Sequence, residues 1–121
     1  MKKTILVLED AISVRKILEV FLGKDYEVVS KENGKDGLDW LQAGNIADLI
    51  ISDVQMPVMD GTEFLREVKS SGYFKNIPVI MLSGIESSEE RIKILKLGAK
   101  DYLVKPFNPE ELKIKVEIAL S

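Results

Sequence analysis

The residues that could carry out chemistry in this chain are carboxylates, a hydroxyl and a lysine at related positions. Glu9 and Asp10 follow the apolar run TILVL, Asp53 ends DLIISD, Ser83 ends PVIMLS, and Lys105 ends DYLVK. The 121 residues include no His and no Cys. This excludes a Ser-His-Asp triad, an imidazole base, a thiolate nucleophile and a Cys-based zinc site within this chain. Any chemistry must therefore use Asp, Glu, Lys, Ser, Thr or Tyr.

A cluster of such residues would suit phosphoryl transfer. Carboxylates that pack together repel one another unless a cation lies among them, and Mg²⁺ binds one or two carboxylates together with phosphate oxygens. A carboxylate can also act as a nucleophile and form an aspartyl phosphate. A metal ion, a lysine and a hydroxyl donor can each stabilise the negative charge of the transferring group.

Apolar runs alternate with amphipathic segments along the chain. The pattern predicts strands at 4–9, 26–30, 48–53, 78–83 and 101–105, and helices at 13–23, 34–44, 61–72, 87–98 and 108–120. Continuous apolar strands indicate a parallel sheet that is covered by helices on both faces. Functional sites in such sheets lie at the carboxyl ends of the strands. The candidate residues should therefore converge on one edge of the sheet.

Two helix starts carry recognisable capping signals. Ser87 and Glu90 have the spacing of a capping box. Asn108 precedes Pro109, which suits an N-cap followed by the first helical position. These signals predict the beginnings of the fourth and fifth helices.

Length and composition fit one globular domain over residues 1–121. The chain is 45% hydrophobic and 31% charged, with a formal net charge of -3 and no basic stripe, so we expect no direct nucleic-acid binding. It has no apolar run long enough to span a membrane, and acidic residues interrupt MKKTILVLEDA too early for a signal peptide. The lack of Cys agrees with a cytoplasmic location.

Five segments together resemble the receiver domain of bacterial two-component response regulators. They are VLED at 7–10, DVQMPVMDG at 53–61, MLSG at 81–84, GAKDYLVKPF at 98–107 and NPEEL at 108–112. The resemblance covers essentially the whole chain. It implies a CheY-like, flavodoxin-like α/β fold: a doubly wound (βα)5 three-layer sandwich whose five parallel strands have the order 2-1-3-4-5.

The resemblance also implies a function. The chain would be a phospho-accepting switch rather than a turnover enzyme, and it would promote its own phosphorylation and dephosphorylation with Mg²⁺, or with Mn²⁺ as an alternative. Its partners would be a sensor histidine kinase or phosphotransfer protein, and then a downstream effector or a second copy of the chain. Whether the receiver stands alone or belongs to a longer regulator or hybrid kinase stays open.

Residue by residue, the resemblance assigns roles at the metal and phosphate site. Asp53 matches the phospho-acceptor, and Asp10 matches the metal-binding acid. Glu9 matches the acidic neighbour of Asp10, and whether its longer side chain reaches the metal directly or only through water stays open. Gln55 matches the position whose backbone carbonyl completes the metal site, and Lys105, which precedes a cis proline in the family, matches the lysine that pairs with phosphate.

The resemblance also assigns switch residues. Ser83 matches the hydroxyl that bonds the phosphoryl group, and Tyr102 matches the aromatic that changes rotamer with it. The positions two past Asp53 and Ser83, namely Gln55 and Ile85, would control the access of water to the acyl phosphate. Because apolar Ile85 cannot position a water molecule, we expect slow self-dephosphorylation.

Helical spacing indicates a partner surface. On the last helix, Ile114 and Ile118 lie nearly opposite the stripe of Leu112, Val116 and Ala119. On the fourth helix, Ile94 and Leu97 lie off the stripe of Ile92 and Leu95. Our hypothesis is that Ile94, Leu97, Ile114 and Ile118 form a surface of helix four, strand five and helix five; contact of the isoleucine pair with a neighbouring loop is the alternative. Trp40 is expected to pack partly against the sheet rather than to anchor an interface.

Two other functions compete with the switch. A phosphatase of the haloacid-dehalogenase type also uses Mg²⁺ and an aspartyl nucleophile, but it usually carries a second acid where this chain has Gln55. A degenerate receiver that binds partners without phosphate would generally lose the acceptor, an acid or the lysine. This chain keeps Asp53, Asp10 and Lys105, so the switch is favoured.

Overall fold

The computed structural model describes residues 2–121, in which five strands alternate with five helices. The strands are β1 (Thr4–Leu8), β2 (Glu27–Lys31), β3 (Leu49–Asp53), β4 (Val79–Ser83) and β5 (Asp101–Val104). The helices are α1 (Ile12–Leu22), α2 (Gly34–Gln42), α3 (Gly61–Ser70), α4 (Ser88–Lys96) and α5 (Pro109–Leu120). All neighbouring strands pair in parallel in the order β2-β1-β3-β4-β5. The predicted doubly wound (βα)5 architecture is confirmed.

The helices cover both faces of the sheet because successive strand residues point to opposite sides. Ile5, Val7 and Ile51 pack in one buried cluster with apolar residues of α1 and α5. Leu6 and Ile50 pack in a second cluster with residues of α2, α3 and α4. The fully buried β3 and β4 therefore lie in the middle layer, as their continuous apolar runs predict.

The predicted helix starts are also found. Asn108 Oδ1 accepts hydrogen bonds from the N–H groups of Glu110 and Glu111, and Pro109 begins α5. Ser87 Oγ accepts from the N–H of Glu90 and caps α4. The predicted helix ends at 44 and 72 were each two residues too late, since α2 ends at Gln42 and α3 at Ser70.

The orientation of α4 contradicts the predicted partner surface. Ile94 is 1% exposed and belongs to the cluster beneath α2, α3 and α4, whereas Ile92 is 52% and Leu95 41% exposed. Leu97 is half-buried against the same cluster. The prediction that Ile94 and Leu97 face away from the core was therefore wrong. Both apolar pairs have the same spacing, so periodicity alone could not choose between the two faces.

The predicted faces of α5 agree with the structure. Leu112 and Val116 are fully buried, while Ile114 and Ile118 are 56% and 62% exposed. Trp40 is half-buried and packs against the cluster formed with α2 and α3, as expected. Within residues 2–121, no helix is both long and apolar enough to cross a membrane.

Candidate functional site

The carboxyl edge of the sheet brings Glu9, Asp10, Asp53 and Lys105 together. Glu9 and Asp10 directly follow β1, Asp53 is the last residue of β3, and Lys105 directly follows β5. β1 and β3 are neighbours in the middle of the sheet, where the strand order reverses. Open α/β sheets bind ligands at this switch point. The convergence predicted from the strand ends is thus found for these four residues.

Lys105 holds two of the carboxylates. Its Nζ donates hydrogen bonds to Glu9 Oε1 at 2.6 Å and to Asp53 Oδ2 at 3.0 Å. Burial alone would lower the pKa of Lys105, but the hydrogen bonds and negative charges of Glu9 and Asp53 outweigh it and raise that pKa. Lys105 is therefore a fixed cation beside the Asp53 carboxylate. The Lys105–Pro106 peptide bond is cis, as the resemblance implies.

Three carboxylates surround a position suited to a metal ion. One oxygen each from Glu9, Asp10 and Asp53 lies within 4.8 Å of the others. Glu9 and Asp53 are buried, while Asp10 is exposed to solvent. Three negative groups face one ammonium, so the cluster is short of positive charge. Hard oxygen donors in this arrangement fit Mg²⁺ or Mn²⁺.

Glu9 differs from the other two carboxylates because both of its oxygens already have partners. Oε1 accepts from Lys105, and Oε2 accepts from the N–H of Ala11 at 3.2 Å. Burial raises the pKa of Glu9, the Lys105 and Ala11 hydrogen bonds oppose the rise, and the charge of Asp53 adds to it. Each carboxylate oxygen keeps a second lone pair, so Glu9 can contact a metal ion without losing either partner. The contact of Glu9 with the metal, direct or through water, remains a prediction.

The loop after β3 shapes the site. Gln55 is exposed and, with Asp10, Asp53, Met56, Gly84 and Lys105, lines a shallow open pocket. Gly61 donates its N–H to the Val54 carbonyl at 2.8 Å, and a Cβ at Gly61 would lie 2.0 Å from the carbonyl oxygen of Asp53. Only glycine allows this approach. The metal role of the Gln55 carbonyl stays a prediction.

A strained turn lies in the same loop. Val58 has a φ of 69°, and the N–H of Met59 donates to the Pro57 carbonyl at 2.8 Å. This is the uncommon γ-turn with a positive central φ, and a β-branched residue rarely adopts it. The turn carries Met59 back to the start of α2, where its carbonyl accepts from the N–H of Gly34.

Ser83 and Tyr102 face α4 and the loop before it. Ser83 Oγ donates to Glu90 Oε1 at 3.3 Å and accepts from the N–H of Ile85 at 3.0 Å. The buried Tyr102 donates its OH to the Ile85 carbonyl at 2.9 Å, and the Arg91 guanidinium lies 5.5 Å from the centre of its ring. The hydroxyl of Ser83 is therefore bonded to α4 and to the loop before it, and not to the carboxylate of Asp53 or the ammonium of Lys105.

Sequence reasoning did not identify that Glu90 contacts Ser83 or that Arg91 contacts Tyr102. The spacing of Ser87 and Glu90 revealed a helix start, but not that the Glu90 carboxylate extends to Ser83. Nothing in the spacing pairs Arg91 with Tyr102, which lies on another element.

Comparison with known proteins identifies the family to which this chain belongs. A family model described as the response regulator receiver domain matches residues 5–117. The chain belongs to this family. The receiver domain is 41% identical over 120 residues to the probable transcriptional regulator ycf27 of Cyanophora paradoxa, covering 98% of this chain and 48% of that protein. The chain spans about half the length of the ycf27 regulators it matches.

Two further relatives match the receiver over nearly their whole length. The chemotaxis protein CheY1 of Helicobacter pylori is 36% identical over 118 residues, covering 96% of this chain and 95% of CheY1. The structure of the chemotaxis response regulator CheY4 of Vibrio cholerae superposes with a TM-score of 0.91 at 36% identity, covering 99% of this chain and 100% of that one. The chain is thus a receiver domain of two-component signalling with the CheY-like fold.

Proposed function

We propose that this receiver domain is a phospho-accepting switch in which Asp53 is the acceptor. The phosphoryl group would come from a sensor histidine kinase, a phosphotransfer protein or a small phosphodonor. The observation that carries the proposal is the position of Lys105 Nζ, which bonds both Asp53 and Glu9 beside Asp10. The receiver acts stoichiometrically and is not a turnover enzyme.

The chemistry follows from the groups around Asp53. A carboxylate oxygen of Asp53 attacks the phosphorus of the donor, and the bond from phosphorus to the donor's leaving atom breaks with its electron pair going to that atom. Lys105, already 3.0 Å from Asp53 Oδ2, orients the carboxylate and stabilises the charge of the phosphoryl oxygens. The pocket beside Asp53 is open, which gives an external donor access.

Asp10, Asp53 and the backbone carbonyl of Gln55 are the residues that would hold Mg²⁺ or Mn²⁺, with Glu9 contributing directly or through water. When bound, the ion would supply positive charge that neutralises phosphoryl oxygens. The three carboxylates exceed the single lysine in charge, which supports a cation requirement.

The output of the switch would be a change in partner binding or self-association. We define the output face as Ile92 and Leu95 of α4, β5, and Ile114 and Ile118 of α5. This definition replaces Ile94 and Leu97, which pack against the core. Over β5 the face contains a cleft whose lining includes Arg91, Leu95, Tyr102, Glu111 and Lys115. Exposed apolar groups among charges of both signs suit a protein partner or a second copy.

Intact mass spectrometry tests the acceptor. The receiver is incubated with acetyl phosphate and Mg²⁺, in parallel with Asp53→Asn, and both are repeated with a chelator and with Mn²⁺. We expect one phosphoryl adduct on the wild type with either metal, and none on Asp53→Asn or without metal. No adduct on the wild type, or an equal adduct on Asp53→Asn, would refute the proposal.

Sedimentation of the phosphorylated protein tests the output face. Ile114→Asp with Ile118→Asp should weaken self-association or partner binding without unfolding the domain. Ile17→Asp with Val20→Asp on α1 is the matched control, because these two side chains are also exposed but lie on another helix. If the α5 variant associates like the wild type, the face is wrongly assigned.

A further inference from the structure

One hydrogen bond joins the carboxyl edge of the sheet to α4. Glu90 lies in the first turn of α4, where its N–H donates to Ser87 Oγ at 3.3 Å. In a complete capping box the glutamate side chain would return to the N–H of the N-cap residue. Here the Glu90 carboxylate instead accepts a hydrogen bond from Ser83 Oγ at 3.3 Å. The Glu90 side chain thus bonds a residue of β4 and does not cap its own helix.

This bond occupies the only hydrogen that Ser83 can donate. A serine hydroxyl has one hydrogen to give and two lone pairs that accept. The hydrogen is given to Glu90, and Oγ accepts from the N–H of Ile85. Ser83 is 1% exposed and does not line the pocket of Asp10, Asp53 and Lys105. Donation to a phosphoryl group on Asp53 therefore requires the bond to Glu90 to break.

We propose that Glu90 is a positioning residue that holds Ser83 in the unphosphorylated arrangement and competes with the phosphoryl group for its hydrogen. This inference rests on the proposed function, because it needs Asp53 to be the acceptor. A phosphoryl group carries about two negative charges and offers three strong acceptor oxygens. It is a stronger acceptor than one carboxylate oxygen at 3.3 Å. Phosphorylation of Asp53 therefore draws Ser83 away and releases Glu90.

Movement of Ser83 also affects Tyr102, because the backbone of Ile85 is bonded to both side chains. The Ile85 N–H bonds Ser83, and its carbonyl accepts from Tyr102 OH. Arg91, next to Glu90, covers the Tyr102 ring. Movement of Ser83 consequently loosens the first turn of α4 at Glu90 and the loop contact that holds Tyr102.

The test is a double-mutant cycle on the rate at which Asp53 is phosphorylated. Acetyl phosphate and Mg²⁺ are added to the wild type, Glu90→Ala, Ser83→Ala and the double variant, and intact mass is followed over time. We expect Glu90→Ala to raise the rate about threefold to tenfold, the range that one hydrogen bond contributes. In the Ser83→Ala background the same change should give no gain. Glu90→Gln, a weaker neutral acceptor, should give an intermediate rate.

Glu89→Ala is the matched control. Glu89 is also in the first turn of α4 and carries the same charge, but it is exposed and the hydroxyl of Ser83 bonds Glu90 instead. Removing a negative charge near the site could by itself favour an anionic donor, and that effect would persist without Ser83. We expect Glu89→Ala to stay within about twofold of the wild type, since exposed charges are screened by salt.

The possible outcomes distinguish a failure of the role of Glu90 from a failure of the proposed function. An equal gain in the Ser83→Ala background, an equal gain from Glu89→Ala, or no gain from Glu90→Ala overturns the role of Glu90. Failure of the wild type to be phosphorylated overturns the proposed function itself. Thermal melts establish that each variant is folded, and if Glu90→Ala is unfolded, Glu90→Gln carries the test with an expected gain of about twofold.

Discussion

The orientation of α4 can be tested by two substitutions two residues apart. Ile94→Ala removes three carbon groups from a side chain that is 1% exposed. At about 0.8 kcal/mol for each buried group, the transfer term alone is about 2.4 kcal/mol. The cavity that remains adds to the loss, and the better helix propensity of alanine offsets about 0.4 kcal/mol. We therefore expect Ile94→Ala to lower the free energy of unfolding by about 2–4 kcal/mol.

Ile92→Ala removes the same groups from a side chain that is 52% exposed. About half of the transfer term is lost, no closed cavity forms, and the same gain in helix propensity applies. The expected loss is below about 1 kcal/mol. For a chain of this size, 1 kcal/mol corresponds to about 3–6 °C in Tm. The two variants should consequently differ by roughly 5–15 °C in thermal melts.

Circular dichroism during urea and thermal unfolding measures both losses directly. Equal losses in the free energy of unfolding, or a larger loss for Ile92→Ala, would show that the face of α4 with Ile92 packs against the core. The output face would then have to include Ile94 and Leu97, as the spacing alone suggested. The result also shows which α4 variants remain folded and can be used in association assays, because Ile92→Asp should fold whereas Ile94→Asp should not.

Three other predictions concern the site and its loop. Val58→Gly should raise the free energy of unfolding by about 1 kcal/mol, because glycine adopts a positive φ without the strain of a β-branched side chain; a Tm that does not rise, measured beside Val20→Gly on α1, would contradict the strain. Mg²⁺ at ten times its Kd should stabilise the receiver by about 1.4 kcal/mol over a chelator control, and an equal gain in Asp10→Asn would exclude the carboxylate cluster. Ile85→Glu should speed the decay of phosphorylated Asp53 after donor removal, whereas Ile85→Leu should not; equal decay in intact mass would reject control of water by this side chain.

The convergence of the site could be predicted because it depends on topology alone. In a parallel sheet every strand ends at the same edge, so the residues at the carboxyl ends of β1, β3 and β5 share that edge, and the long side chain of Lys105 extends past β4 to Asp53. Glu9, Asp53 and Lys105 needed only correctly placed strands for that prediction. The order of the strands came from the resemblance to receiver domains rather than from the apolar pattern.

The face of α4 could not be predicted because its apolar residues form two equivalent pairs. Ile92 with Leu95 and Ile94 with Leu97 have the same separation, so helical period gives no preference. The deciding constraints come from outside the helix. The carboxylate of Glu90 is bonded to Ser83, and the buried Ala99 packs in the core two residues before β5 begins at Asp101. Such constraints depend on contacts distant in sequence, which a pattern within one helix does not contain.

The structure of α4 gives the proposed switch a direct physical route to its surface. Glu90 contacts Ser83 on the inner side of the first turn, while Ile92 and Leu95 are exposed on the outer side. These residues share one short helix, which moves largely as a unit. Any displacement that follows loss of the Glu90 bond must therefore also move the exposed side chains. An output surface built on α4 thus needs no relay through the core, and substitutions at Glu90 should change both the phosphorylation rate and the association measured at Ile92 and Leu95.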